Sequence, residues 1–251
     1  MVIVAFFVAH WTLSVFFQTF FLHRYAAHRM YKLSPFWERV FYFASFVFMG
    51  PSFLTPKDPH SPRNHSGLFT MMAATRKTYH DLAHGIVAPD PKFDGGYPEW
   101  KALDRFSQSW LVRIGFGAGY TLVYFAFATH AWMFALLPIH YLMGPVHGAI
   151  VNWCGHRYGY RSFDNGDDSR NTLAFDFLTL GELFQNNHHK FGMSPNFAAR
   201  WFEIDPTWQV MRVLGWIGVI DLGARPQIAR PPARAIAGAP MEPDAPVSPA
   251  E

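Results

Sequence analysis

Apolar and polar blocks alternate along this chain on the scale of a membrane-crossing helix. Residues 2–22, VIVAFFVAHWTLSVFFQTFFL, are almost wholly apolar, long enough as a helix to cross about 30 Å of hydrocarbon. The block ends abruptly in HRYAAHRMYK, residues 23–32. A second apolar run, FWERVFYFASFVFMGPSFLT at 36–55, opens with Glu38 and Arg39 and is broken by Gly50-Pro51. Residues 109–128 and 132–151 read as a helical hairpin whose tip, THAW, carries no Lys or Arg. The first block lacks the basic start and small-residue cleavage site of a secretory signal, so it reads as a span rather than a leader.

Basic residues orient these blocks. None occurs between Arg113 and Arg157, which places the hairpin tip outside and its two ends in the cytosol. Arg24, Arg29 and Lys32 put the end of the first block on the same side. A full crossing by 36–55 would carry Lys57, Arg63, Arg76, Lys77, Lys92, Lys101 and Arg105 outside, so that run is expected to be interfacial or re-entrant. All the polar, histidine-bearing segments then share one face. The expected fold is an all-α integral membrane protein with a cytosolic histidine-rich metal-binding cap, and residues 224–251 form a Pro/Ala-rich disordered tail.

Composition sharpens the picture. Half of the 251 residues are hydrophobic, 26 of them Phe, yet Cys154 is the only cysteine, which excludes an intrachain disulfide and a cysteine-rich zinc site. A formal charge of +3 is too mild to argue for nucleic acid. Thirteen histidines are a heavy load for such a chain, because buried polar groups need partners and ionisable groups near a bilayer usually mark function.

Three groups face the same compartment: His23 and His28, Asn152 and His156, and His188 and His189. On an α-helix, positions five apart point about 140° from each other, which would send His23 and His28 to two metals. Asn152 and His156, four apart, share a face, and the adjacent His188 and His189 diverge by about 100°, again suiting two neighbouring ions. Neutral imidazole is a good ligand for iron or zinc. Cys154 reads as a small packing residue, and His10, His130 and His140 as membrane or interface residues.

HRYAAH, HGAIVNWCGHRYGYRSFDNGDDSRN and GELFQNNHHKFG, with DPHSP at 58–62 and WFEIDPTW at 201–208, resemble the membrane fatty acid desaturases of the acyl-CoA delta-9 type and their bacterial relatives. The resemblance runs from about Trp11 to Trp208 and implies a desaturase domain over 1–223. It implies oxygen-dependent removal of two hydrogens from a fatty acyl chain, with two irons held by His23, His28, Asn152, His156, His188 and His189. Gln185 stands where many members have histidine. Breaking an unactivated C–H bond needs metal-activated oxygen, and the protein's part is to ligate, orient and exclude water. No haem or flavin motif is present, so electrons are expected from a separate ferredoxin-like or cytochrome-type donor. An acyl-CoA substrate and the lipid bilayer complete the expected partners.

The family's second histidine box, of HxxHH form, is absent: between the 36–55 run and DPHSP the chain reads GPSFLTPKDPHSP. His60 and His65 repeat the five-residue spacing, and His80 and His84 are four apart, so these are the candidates to replace it, against the reading of ordinary polar segments. His147 and Asp168 are candidates for groups behind the ligands, as are Glu182, Glu203 and Asp205. A hydroxylase on the same scaffold, or a scaffold that binds acyl groups without completing the metal centre, are the alternatives.

Overall fold

A computed structural model describes residues 1–50, 67–83, 86–87 and 98–223. His60, His65, His84, the expected place of the second histidine box and the 224–251 tail lie outside the described residues.

The described chain is mostly helical, with a two-stranded clasp and an irregular stretch between Tyr158 and Phe184. Helix α1, Val2–Phe17, runs without a break into a π-helix, Gln18–Ala27. A tight turn leads through strand β1, Lys32–Leu33, into α2, Pro35–Met49. The start of α2 is written in its sequence: Ser34 caps the Trp37 N–H, and Pro35 follows where a helix has no use for its N–H. Helices α3, Leu68–Ala83, and α4, Lys101–Ser107, precede the long α5, Trp110–Phe127, capped by Ser109.

The chain returns through a 3₁₀ segment, Ala131–Leu136, and helices α6, Leu137–Tyr141, and α7, Met143–Ala149. A second π-helix, Ile150–Cys154, then leads into α8, Gly155–Arg157. After a long irregular stretch come α9, Gln185–Lys190, and α10, Pro206–Trp216. Strand β2, Ile220–Asp221, pairs antiparallel with β1, Lys32 opposite Asp221 and Leu33 opposite Ile220.

Among the described residues, two helices are long and apolar enough to cross a membrane, Val2–Ala27 and Trp110–Phe127. A third span results if Ala131–Tyr141 and Met143–Arg157 count as one broken helix, bent by 78°. The second arm of the expected hairpin, 132–151, is therefore bent. The break falls at Leu142, just before Gly144-Pro145, where a proline ring prevents an unbroken helical ladder. The outer face of α5 exposes Leu111, Ile114, Leu122 and Phe125, a face that lipid suits better than water.

Helix α2 buries Tyr42, Ser45, Phe46 and Met49 and exposes Phe36, Val40, Phe43 and Val47. It runs antiparallel along α1, with Glu38 at Tyr25, Tyr42 at Phe21 and Phe48 at Phe17. Its 15 residues are fewer than a full crossing needs. Residues 51–55 of this run, which would decide between an interfacial and a re-entrant path, lie outside the described ones. Aromatic packing around Phe17, Phe20, Phe21, Phe46, Phe184 and Phe197 joins α1 and α2 to the polar cap. That packing fixes the end of α1, where the histidines sit.

Candidate metal centre

The π-helix changes how the first histidine pair is presented. Hydrogen bonds that close five residues, such as the His28 N–H to the His23 carbonyl at 3.1 Å, stack residue i+5 over residue i. His23 and His28 therefore share one face, ring centroids 4.9 Å apart, and do not diverge toward two metals as α-helical spacing predicts. His188 from α9 closes the group, at 4.7 Å from His23 and 4.9 Å from His28 between ring centroids. One ligand atom from each of the three lies within 4.8 Å of the others, a grouping that fits a metal ion.

The tautomers suit ligation. Nδ1 of His23 donates to the Glu182 carboxylate at 2.5 Å, which leaves its Nε2 lone pair facing His188 Nε2 at 3.0 Å. A carboxylate behind a ligating imidazole fixes the ring and raises its basicity. Burial works against ionising Glu182, but His23, Arg24 and the Thr19 hydroxyl outweigh it and hold the carboxyl down at about 2. His188 is buried, which with its cationic neighbours pushes its ring well below the usual histidine range and keeps it neutral. A neutral ring is the form that binds metal.

The turn that delivers Glu182 is built by DFLTLGE, residues 176–182. The buried Asp176 carboxylate accepts from the backbone N–H groups of Thr179, Gly181 and Leu183. Gly181 has φ +109, and a Cβ there would sit 2.5 Å from Asp205 Oδ1, so only glycine fits. Beneath it, Arg24 donates to Asp205 at 2.7 Å, both side chains fully buried, while its guanidinium stacks on Phe197 at 4.1 Å. Asp205 also caps α10 through the Trp208 N–H.

A second group stands beside the first. Nδ1 of His156 donates to the Asn152 carbonyl at 3.0 Å, and Nδ1 of His189 donates to Asp167 at 2.7 Å. Both rings keep Nε2 for a ligand, with centroids 5.2 Å apart, and the His188 and His189 centroids are 6.1 Å apart. The adjacent residues His188 and His189 thus lie in two neighbouring groups of rings.

Buried asparagines hold α9 in place. Asn186 Oδ1 accepts from the Ser162 and Phe163 N–H groups, and Asn187 donates to the Phe197 carbonyl and to Glu203. Gln185 donates to the Glu182 carbonyl and packs under Gly155, where a Cβ would lie 2.6 Å from Gln185 Cγ.

The structure brings together His23, His28 and His188, and separately His156 and His189 with Asn152. Asp168 is exposed, and the carboxylate that holds His189 is its neighbour Asp167. His80 is exposed on α3 and interacts with Asp81. His147 lies away from the metal ligands, against Trp11. Sequence reasoning missed Asp167 and Asp176, and it gave Glu182 no more weight than Glu203 or Asp205.

The class defined so far is a helical protein with two or three apolar spans and paired imidazole groups of metal-ligating geometry. No protein-family model matches the chain. Over 143 residues it is 30% identical to an sn-1 stearoyl-lipid 9-desaturase of Anabaena variabilis, covering 56% of this chain and 50% of that protein. Over 70 residues it is 41% identical to the acyl-CoA 5-desaturase AL21 of Anemone leveillei, covering 28% and 22%. A longer match, 28% identity over 226 residues, covers 80% of this chain and 70% of the Delta-9 desaturase-like 5 protein of Arabidopsis thaliana. The chain spans half or less of the first two relatives' length. Each of these proteins to which the chain is similar is named as a desaturase or desaturase-like.

Glu182→Gln preserves shape but removes the charge behind His23. Metal affinity is expected to fall about 10–100-fold, read by competition with a coloured chelator, with the far-UV spectrum unchanged. Unaltered affinity would show that Glu182 has no part in the centre.

Proposed function

We propose that the protein is an oxygen-dependent fatty acyl desaturase set in a membrane, with a histidine-ligated diiron centre on the cytoplasmic face. The observation that carries this reading is the convergence of His23, His28 and His188, with His156 and His189 beside them, at the end of an apolar helix. The donor set is all imidazole among these residues, and the Nε2 lone pairs of His23, His156 and His189 are left for metal by the bonds at Nδ1. Iron held there would supply the oxygen chemistry that removes two hydrogens from an unactivated chain.

The chain's own residues do the rest. Glu182 and Asp167 orient His23 and His189. Phe197, 4.4 Å from the His188 ring and 5.6 Å from His23, covers the group on one side and excludes water. Arg24 and Asp205 lock the π-helix to the cap.

The relatives' names include an acyl-lipid and an acyl-CoA substrate, so the acyl chain is their common element. Acyl-CoA is our choice for this protein, with electrons from a separate ferredoxin-like or cytochrome-type donor. The test is conversion of stearoyl-CoA by detergent-purified, iron-loaded protein with oxygen and a reduced ferredoxin, products resolved by gas chromatography and mass spectrometry. A mono-unsaturated product supports the reading. A hydroxylated acid would select the hydroxylase, and no conversion of either acyl-CoA or acyl-lipid would select the acyl-binding scaffold.

Orientation has its own test. A cysteine placed at Thr129, at the tip between α5 and the 3₁₀ segment, is expected to react with a membrane-impermeant maleimide from outside intact cells, and one at Asp164 only after lysis. The reverse pattern would put the histidines on the wrong face.

A further inference from the structure

Inside the bundle, away from the metal ligands, lies a second set of histidines that the proposed chemistry does not use. His10 of α1 and His140 of α6 face each other through their Nδ1 atoms at 2.7 Å, rings stacked 4.9 Å apart. His10 Nε2 lies 3.0 Å from the Phe48 carbonyl, to which it donates. That fixes the neutral ring's proton on Nε2, so His10 Nδ1 accepts and His140 Nδ1 donates. His140 must then carry its lone pair on Nε2, which is buried and finds no partner among the described residues.

His147, fully buried against Trp11, has neither ring nitrogen partnered among the described residues. Ser14 Oγ and Gln18 Oε1 are also buried without partners among the described residues. Their spacing gives the pattern a direction. His10, Ser14 and Gln18 are four apart and share one face of α1. Gln18 opens the π-helix, whose wider turn carries the same face on to His23 five residues later. Across from it, His140 and His147 stand on the two arms of the bent pair, which leads on to Asn152 and His156. Two polar stripes therefore run from inside the membrane body to the two histidine groups, over roughly 20 Å of helix.

The atoms along the stripes need both donors and acceptors: a donor for His140 Nε2 and Gln18 Oε1, and one of each for His147. An acyl chain offers neither. Water offers both, and buried water is what fills such polar gaps. We propose that these stripes bind a file of buried waters that joins the His10–His140 pair, through His147, Ser14 and Gln18, to the cluster at His23. The proposal does not depend on the desaturase reading, since it rests on unpaired atoms outside the set of histidines that would hold metal.

The test uses full-length protein, labelled with ¹⁵N-histidine and ¹⁵N-phenylalanine, in lipid bilayers. Magnetisation is transferred from water to protein by solid-state NMR. Ring nitrogens of His140 and His147 are expected to gain signal as early as those of exposed His80, and well before the backbone amides of buried Phe20 and Phe21. Build-up as slow as at Phe20 and Phe21 would overturn the proposal. So would a shift of the His140 and His147 ring signals on adding equimolar Zn²⁺ alone to protein whose metal centre is already filled, which would assign the stripe to a metal. His147→Leu supplies a second reading. In a dry site it removes two unpaired nitrogens and raises the melting temperature, whereas in a hydrated site it strips the waters of a partner and lowers it. A rise contradicts the proposal.

Discussion

His188→Ala is expected to lower metal affinity by more than about 100-fold, beyond the upper end for residues that act from behind a ligand. His188 is the member of the group that comes from the cap, and it bridges the other two, 4.7 Å from His23 and 4.9 Å from His28. Without it, two imidazoles from one turn of π-helix remain, and each lost ligand opens a coordination position. The metal-free variant is expected to melt below the parent, because the buried His188 ring packs 4.4 Å from Phe197 and its removal leaves a cavity. His80→Ala, on exposed α3, should change neither quantity. Equal metal affinity in parent and His188→Ala proteins would remove this residue from the centre. The measurement is metal retained on dialysis against graded chelator.

Breaking the Arg24–Asp205 pair should produce the largest loss of stability. Both side chains are fully buried, 2.7 Å apart, and Asp205 also accepts from the N–H groups of Phe197 and Trp208. Arg24→Met leaves a buried carboxylate without its cation, a change that costs about 3–5 kcal/mol. Arg24→Met combined with Asp205→Asn removes both charges and should recover much of that loss, because the amide oxygen still caps α10. Thermal unfolding in detergent reads both variants. A double variant no more stable than Arg24→Met would mean that stacking on Phe197, at 4.1 Å, outweighs the ion pair.

Much of this arrangement was legible in the sequence, for identifiable reasons. Apolar blocks announced α1 and α5, while the caps Ser34 and Ser109 came to light only in the structure. Histidine clustering pointed to the residues that converge. The geometry of the first pair was not legible, because nothing in QTFFLHRYAA distinguishes a π-helix from an α-helix, and the π form turned a predicted divergence into a shared face. The bend at Leu142, close to Gly144-Pro145, was not read from the sequence.

Carboxylates behind the ligands were the harder part. Asp167 and Asp168 are neighbours with the same chemistry, and only the fold of residues 164–169 decides which one reaches His189. Glu182 is singled out by a turn that Asp176 organises from within, a contact with no signature in spacing alone.

The central claim is that the converging histidines hold a metal centre. Its most direct test is metal per chain, by elemental analysis of detergent-purified protein expressed with ample iron, beside a variant carrying His188→Ala and His189→Ala. The account predicts close to two irons per chain in the parent and loss of iron in the variant. Parent protein that retains no iron, or as much as the variant, would contradict it.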